Sequence, residues 1–136
     1  MFYTLAGKRI AIFGFAFKAN TGDTRETPAN LVVRDLLAEH AYPIITDPKA
    51  IENARIELED VVDQVAFETD PYRASESTHA IIVCTDWLCY QELDWKRIYQ
   101  SMVKPAVVFD GRNVLPRKLL SDIGFNVKGI GKGIEE

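Results

Sequence analysis

Short apolar segments alternate with amphipathic segments along most of this chain. The first apolar segment, residues 9–15, has no internal polar break and is typical of a strand that is buried on both faces. Similar segments predict further strands at 42–46, 65–67, 79–83, 106–109 and 125–130. Between them, helical spacing and helix formers predict helices at 28–40, 50–63 (one or two short pieces), 71–76, 94–102 and 116–123.

The alternation of strands and helices predicts the fold class. Parallel neighbours in a sheet need crossover connections, and here helical segments supply them. We therefore expect an α/β protein, a three-layer α/β/α Rossmann-like domain with a mostly parallel sheet of about six strands. No linker divides the 136 residues, so we predict one domain over 1–136, with 1–7 as a connector and 131–136 as a tail.

Composition and charge argue against several classes of function. The net charge is −4, with 16 basic and 20 acidic residues, which argues against a nucleic-acid-binding surface. We find neither an apolar run of roughly 18 residues nor a signal peptide, so we expect no membrane segment. The two cysteines, Cys84 and Cys89, have no histidine or cysteine cluster nearby, so we predict no metal site and no disulfide. We expect a reduced, cytoplasmic protein.

Polar residues gather where the predicted strands end. They are residues 18–25 after the first strand, Asp47 after the second, Thr85 and Asp86 after the fourth, and 110–113 after the fifth. Because ligands of open α/β sheets bind at the carboxyl ends of the strands, we expect a ligand site at this edge.

The loop after the first strand does not have the sequence of a dinucleotide-binding loop. Gly14 is followed by Phe15, Ala16, Phe17 and Lys18, so the second and third glycines of GxGxxG are absent. Ordinary NAD binding is therefore not predicted from this loop. Instead, the cations Lys18, Arg25 and Arg112 can neutralise a phosphate.

Each of these residues also has a purely structural interpretation. Asp47 can read a ribose, as in other Rossmann domains, or form a plain Asp-Pro turn. Arg25 can contact a ligand or pair with a neighbouring carboxylate, and Lys18 can be a solvated loop residue. We expect Asp23 to order its loop and Asp110 to orient its turn.

The cysteines and aromatic residues do not indicate catalysis. His79 lies five residues before Cys84 on the same predicted strand, an odd offset that places the two on opposite faces, so a Cys–His pair is not expected. Trp87, Tyr90 and Trp95 are interpreted as packing or subunit-contact residues.

The segment GFAFKANTGDTRETPA resembles the signature that opens the C-terminal UDP-binding domain of the UDP-glucose 6-dehydrogenase family, the UDP-glucose/GDP-mannose dehydrogenases. Later segments agree in order and spacing, and the resemblance covers nearly the whole chain. They are TDPKA, DPYRA, HAIIVCTDW, ELDWKRIYQSMVKPAVVFDGRNVL and GFNVKGIGK.

The resemblance implies an enzyme of three parts. An N-terminal domain binds NAD, a central helical domain forms the dimer, and the C-terminal domain binds the UDP part of the substrate. The family oxidises the sugar's C6 alcohol to a carboxylate with two NAD, through a cysteine in a GGxCxxKD-type motif. This sequence lacks that motif, so we expect no catalytic residue here and an inactive isolated chain. We also expect the full-length protein to be a homo-oligomer.

The resemblance also assigns site residues. Phe17 and Lys18 match residues that contact the UDP-sugar, and Arg25 matches an arginine that reaches NAD. Arg112 matches the arginine-bearing loop of the substrate pocket, and Asn113 stands where relatives can carry a second arginine. Two alternatives remain: the same domain of a UDP-N-acetylmannosamine or GDP-mannose dehydrogenase, or a stand-alone nucleotide-binding module.

Overall fold

The structure, a computed structural model, describes residues 5–16 and 27–129. Six strands form one sheet in the order β3-β2-β1-β4-β5-β6, and every neighbouring pair is parallel. The strands are β1 (Arg9–Phe13), β2 (Tyr42–Thr46), β3 (Ala66–Phe67), β4 (Ala80–Val83), β5 (Val107–Asp110) and β6 (Asn126–Gly129). The predicted Rossmann-like sheet of about six strands is confirmed.

Five α-helices connect these strands in the described part of the chain. They are α1 (Pro28–Ala38), α2 (Ile51–Glu57), α3 (Pro71–Ser75), α4 (Trp95–Ser101) and α5 (Arg117–Ile123). Two 3₁₀ segments, Glu59–Gln64 and Leu88–Glu92, precede β3 and α4. The region predicted as one or two short helical pieces is therefore α2 followed by a 3₁₀ turn.

Side-chain caps fix the beginnings of three helices. The Thr27 hydroxyl accepts the N–H of Ala29 at α1, and the Asp70 carboxylate accepts the N–H of Tyr72 at α3. Asp94 likewise accepts the N–H of Arg97 at α4. Proline follows Thr27 and Asp70 directly, which suits the first helical position. The predicted starts of α1 and α3 are thus confirmed.

Alternate strand residues face opposite helical layers. Ala11 and Phe13 of β1 belong to a core shared with α4 and α5, which supply residues such as Trp95. Ile10 and Ile12 belong to a second core, in which α1 and α2 supply residues such as Val33. Because both faces of the sheet are covered, the central strands β1, from Ile10 onwards, and β4 are apolar at every position rather than alternating. The predicted three-layer arrangement is confirmed.

The first strand is two residues shorter than predicted, since it ends at Phe13 instead of Phe15. Gly14 adopts a φ of +99°, and its N–H bonds to the Thr46 carbonyl at 2.8 Å. A Cβ at Gly14 would overlap Thr85 and would lie 2.9 Å from the Thr85 amide nitrogen. The chain therefore turns at the one residue type that tolerates both this φ and this close approach.

Candidate functional site

The strand order reverses direction between β1 and β4, so the crevice at their carboxyl ends is where this fold binds ligands. The described residues around that crevice are 14–16, 47, 85–86 and 110–113. Phe17, Lys18 and Arg25, which the sequence predicts as ligand residues, lie outside the described residues, as does Asp23.

Asp47 holds the loops of this edge together. One carboxylate oxygen, Oδ2, accepts the backbone N–H of Phe15 at 2.7 Å, that of Ala16 at 3.1 Å and the indole N–H of Trp87 at 3.3 Å. The other, Oδ1, accepts the N–H of Lys49 and of Ala50, each at 2.8 Å. The residue is 2% exposed.

These bonds decide between the two interpretations of Asp47. A ribose hydroxyl needs an accessible carboxylate oxygen, and here both oxygens are buried and accept protein donors. The ribose interpretation is therefore wrong for this conformation. Asp47 does form a turn, but it also binds residues more than thirty positions away.

Thr85, just after β4, packs against the turn that follows β1. Its hydroxyl donates to the carbonyl of Ala16 at 2.8 Å, and its side chain lies against Gly14. Thr85, Phe15 and Ala16 are all fully buried. The turn that follows β1 thus has little contact with solvent before residue 17.

Asp110 orders the turn after β5, as predicted. Its Oδ1 accepts the N–H of Arg112 at 3.2 Å and that of Val114 at 3.1 Å, and its Oδ2 accepts the N–H of Leu115 at 2.9 Å. The carboxylate is 1% exposed. It is therefore a structural acceptor and not a ligand contact.

The turn that Asp110 holds presents two exposed polar residues. Asn113 has a φ of +59°, a conformation that asparagine tolerates better than most residues. The Arg112 guanidinium lies 4.0 Å from the Asp86 carboxylate, in an ion pair whose side chains are 34% and 44% exposed. Because such exposed pairs are weak, the guanidinium can exchange this partner for a phosphate. The structure thus brings the β4 and β5 loops together, as predicted.

The thiol of Cys84 is unsuited to nucleophilic attack. The residue is 8% exposed, and burial raises its pKa to about 12, although the positive charge of Arg112 opposes the shift. His79 lies at the opposite end of β4, where its Nδ1 accepts the backbone N–H of Arg9 at 3.2 Å. The expectation that no Cys–His pair forms is confirmed.

The aromatic residues after β4 pack in the core, as predicted. Trp87, Tyr90 and Trp95 are each at most 6% exposed, and the rings of Phe13 and Tyr90 lie 5.3 Å apart between centroids. The Trp95 indole donates to the Tyr90 carbonyl at 2.8 Å. The Tyr90 hydroxyl has no hydrogen-bond partner among the described residues, and burial raises its pKa.

Other features of the described residues lie away from this edge. A surface cavity of about 390 Å³ lies between α4 and α5, lined by Lys96, Tyr99, Gln100, Asp122 and Ile123, none of which was predicted as a ligand residue. Within residues 5–16 and 27–129, no group of three or more acidic, histidine or cysteine side chains is placed to hold a metal ion. No helix in the same ranges is both long and apolar enough to cross a membrane.

Sequence reasoning placed Thr85 at this edge but missed two bonds there, from the Trp87 indole to Asp47 and from the Thr85 hydroxyl to the Ala16 carbonyl. The local part of the Asp47 arrangement has a sequence signal, since Asp-Pro-Lys-Ala is typical of an aspartate that accepts amides two and three positions later. Its bonds to Phe15, Ala16 and Trp87 have no such signal.

Comparisons with known proteins agree on one family. The model of the UDP-glucose/GDP-mannose dehydrogenase family, UDP binding domain, matches residues 11–117. A UDP-glucose 6-dehydrogenase from Drosophila melanogaster is 47% identical in an alignment that is 148 residues long. The alignment covers 97% of this chain and 30% of that protein.

Solved structures give the same result. A UDP-glucose dehydrogenase from the hyperthermophilic archaeon Pyrobaculum islandicum is 32% identical with a TM-score of 0.75, over 93% of this chain and 26% of that chain. A UDP-D-ManNAc dehydrogenase from Pyrococcus horikoshii is 26% identical with a TM-score of 0.73, over 96% and 27%. The chain therefore spans about 30% or less of the length of these three proteins.

Proposed function

This chain belongs to the UDP-glucose/GDP-mannose dehydrogenase family, as its UDP binding domain, and on that premise we propose that it binds the UDP part of the substrate in a UDP-glucose 6-dehydrogenase. The whole enzyme oxidises UDP-glucose to UDP-glucuronate with two NAD. The observation that supports this proposal most directly is the 47% identity to a UDP-glucose 6-dehydrogenase across 97% of the chain.

The exposed Arg112 carries the structural part of the proposal. Its backbone N–H is fixed by Asp110, and among the described residues its guanidinium forms a long, exposed ion pair with Asp86. A planar guanidinium can bind a diphosphate oxygen pair in a bidentate fashion. We assign substrate contacts to Phe17, Lys18, Arg112 and Asn113. The first two rest on the family resemblance alone.

NAD supplies the hydride acceptor for this oxidation when it is bound. The described residues do not fit a dinucleotide, because Ala16 stands at the second glycine position and its amide is bonded to Asp47. We therefore assign NAD mainly to a part of the enzyme outside this chain, with Arg25 as the one contact from here. Partners in the proposal are the NAD-binding and central helical domains, in a cytoplasmic homo-oligomer.

The isolated chain is proposed to bind UDP without catalysing the reaction. The sequence has no GGxCxxKD motif, and the Cys84 thiol is buried with a pKa of about 12. Turnover of UDP-glucose and NAD by the purified 136-residue chain would contradict this part of the proposal.

Calorimetric titration of the purified chain with UDP, with NAD in a parallel experiment, tests the binding proposal. We expect heat from UDP, none from NAD, and a weaker UDP signal in Lys18→Ala. Lys96→Ala is the matched control, because Lys96 lies on α4 beside the cavity away from this edge. If UDP gives no heat with either the chain or a full-length protein that contains it, the proposal fails.

The nature of the sugar is a separate question. The identity to the UDP-glucose 6-dehydrogenase of Drosophila melanogaster is 47%, against 26% to the UDP-D-ManNAc dehydrogenase of Pyrococcus horikoshii, and this difference supports glucose. Assays of a full-length protein with both UDP-sugars test the choice. Faster oxidation of the UDP-N-acetyl sugar would reverse it.

A further inference from the structure

We propose that Asp47 acts as an internal anion: its carboxylate takes the place of a ligand phosphate on the amides after β1, and so it excludes a dinucleotide from this turn. The same contacts make Asp47 a positioning residue for the UDP site. The positioning role rests on the proposed function, whereas the internal-anion role does not.

The turn after β1 is the place where this fold binds phosphate. In a dinucleotide-binding domain with this strand order, the pyrophosphate approaches the backbone of the glycine-rich turn after β1. Gly14 here matches the first glycine of that turn, and Ala16 stands at the second. The N–H groups of Phe15 and Ala16 are therefore the donors that a pyrophosphate would meet first.

Asp47 already uses both of these donors. Its Oδ2 lies 2.7 Å from the Phe15 nitrogen and 3.1 Å from the Ala16 nitrogen. Two adjacent amides that converge on one oxygen form the concave arrangement that binds anions in many proteins. In this chain the anion is a side chain, so the amides are satisfied before any ligand arrives.

Among the described residues of the turn, 14–16, the remaining backbone N–H is also already bonded. The Gly14 N–H is bonded to the Thr46 carbonyl at 2.8 Å, and the Ala16 carbonyl accepts the Thr85 hydroxyl. Phe15 and Ala16 are fully buried. A pyrophosphate at this turn would have to displace Asp47 and would also lie next to its negative charge, which repels it.

Asp47 also fixes the direction in which the chain leaves β1. The carboxylate joins the turn after β1 to the Lys49 and Ala50 amides before α2 and to the Trp87 indole after β4. Since this carboxylate joins all three segments at one point, loss of the charge should loosen the turn that leads to the ligand residues. The phosphates of a bound nucleotide are then left to cations such as Arg112.

Amide exchange and titration of the ¹⁵N-labelled chain, followed by NMR, test the internal-anion proposal without any nucleotide substrate. In the wild-type chain we expect the Phe15 and Ala16 amides to exchange slowly and not to shift when pyrophosphate or NAD is added. In Asp47→Ala we expect exchange at least tenfold faster and shifts of both amides on addition of pyrophosphate. Asp47→Asn, which keeps the shape and one acceptor, replaces Asp47→Ala if the latter does not fold.

Asp70→Ala is the matched control for stability. It removes another carboxylate that accepts a backbone N–H, that of Tyr72 at the start of α3, in the turn after β3 rather than the turn after β1. We expect it to leave the Phe15 and Ala16 amides unchanged. Pyrophosphate-induced shifts of these two amides in the wild type, or their absence in a folded Asp47 variant, would overturn the internal-anion proposal.

A UDP titration of the same proteins tests the positioning role. We expect Asp47→Asn to bind UDP at least tenfold more weakly than the wild type, and Asp70→Ala to bind it equally well. Equal affinity of a folded Asp47→Asn would refute positioning. If neither the wild-type chain nor a full-length protein that contains it binds UDP, the proposed function and the positioning role fail together, while exchange and pyrophosphate shifts still decide the internal anion.

Discussion

Two turns at the carboxyl edge of the sheet are each built around a buried aspartate, yet they present opposite surfaces. Asp47 and Asp110 are 2% and 1% exposed, and both carboxylates accept several N–H groups. Around Asp47 the neighbouring residues Phe15 and Ala16 are fully buried. Around Asp110, in contrast, Arg112 and Asn113 reach solvent.

The difference lies in where the donors come from. Those of Asp110 all lie within five residues after it, so its carboxylate shapes a local turn and leaves the tip exposed. Those of Asp47 come from three separate segments, of which Phe15 and Trp87 are 32 and 40 residues away. A buried aspartate thus closes one side of the crevice at Asp47, whereas at Asp110 it supports a turn that exposes the cation Arg112.

The largest expected effect is the loss of either carboxylate. Asp47→Ala leaves five donors without their acceptor and Asp110→Ala leaves three. We expect the free energy of unfolding to fall by about 3–5 kcal/mol and about 2–3 kcal/mol, respectively. Urea denaturation of the two variants measures this order. A larger loss for Asp110→Ala would show that the number of donors lost does not set the size of the effect.

Gly14→Ala tests how tightly the turn after β1 is closed. The new Cβ would combine a φ of +99° with overlap against Thr85, and we expect a loss of about 3 kcal/mol in the free energy of unfolding. Gly7→Ala is the control, because Gly7 has a φ of +76° but no described atom within 4 Å of the added Cβ. We expect about 1 kcal/mol there. Equal losses in thermal or urea unfolding would mean that the approach to Thr85 can relax.

Arg112→Ala tests the exposed side of the comparison. We expect UDP affinity to fall about tenfold to a hundredfold, the size of a charge-assisted contact of about 1.5–3 kcal/mol, with little change in stability. Arg73→Ala is the matched control, since Arg73 also lies 4.0 Å from a carboxylate in an exposed ion pair. Calorimetry of both variants separates ligand contact from a general charge effect. A similar loss in Arg73→Ala would point to the general effect.

The smallest effect concerns Cys84, which follows β4 between the two turns. Its pKa is raised to about 12 from an ordinary 9.0, so above pH 9 the unfolded chain loses a proton that the folded chain keeps. Stability from this group is therefore full below pH 9 and declines by about 1.4 kcal/mol per pH unit above it.

Urea denaturation at pH 9 and pH 10 measures this decline. Cys84→Ala should flatten it, and Cys89→Ala should flatten it less because that thiol is exposed. Tyr90, whose pKa is also raised from an ordinary 10.0, begins to add its own decline only at the upper end of this interval, and it does so equally in both cysteine variants. An unchanged slope in Cys84→Ala would show that the thiol does not stay protonated in the folded chain.

Much of the fold was predictable because its signals are local. The β1 segment is apolar on both faces, and it is buried on both faces in the sheet. Thr27-Pro28 and Asp70-Pro71 begin helices, where a side-chain acceptor and a fixed φ favour the first turn. The end of β1 was misplaced by two residues because Phe15 is as apolar as the strand before it.

The candidate site was only partly predictable. The gathering of polar residues at one edge follows from the strand order, and the role of Asp110 follows from donors close in sequence. The contacts of Phe17, Lys18 and Arg25 remain predictions, since these residues lie outside the described part of the chain.

By itself, the sequence determined the parallel α/β architecture, the edge where polar residues gather and the absence of a glycine-rich phosphate turn, because each depends on residue types at short spacing. Only the tertiary structure decided between the two roles of Asp47. Its partners Phe15, Ala16 and Trp87 are distant in sequence and meet it only after β1, β2 and β4 have aligned in the sheet. Because this carboxylate is buried, an amide that loses it as acceptor cannot form a hydrogen bond with water instead. Each of its hydrogen bonds therefore contributes to the free energy of unfolding.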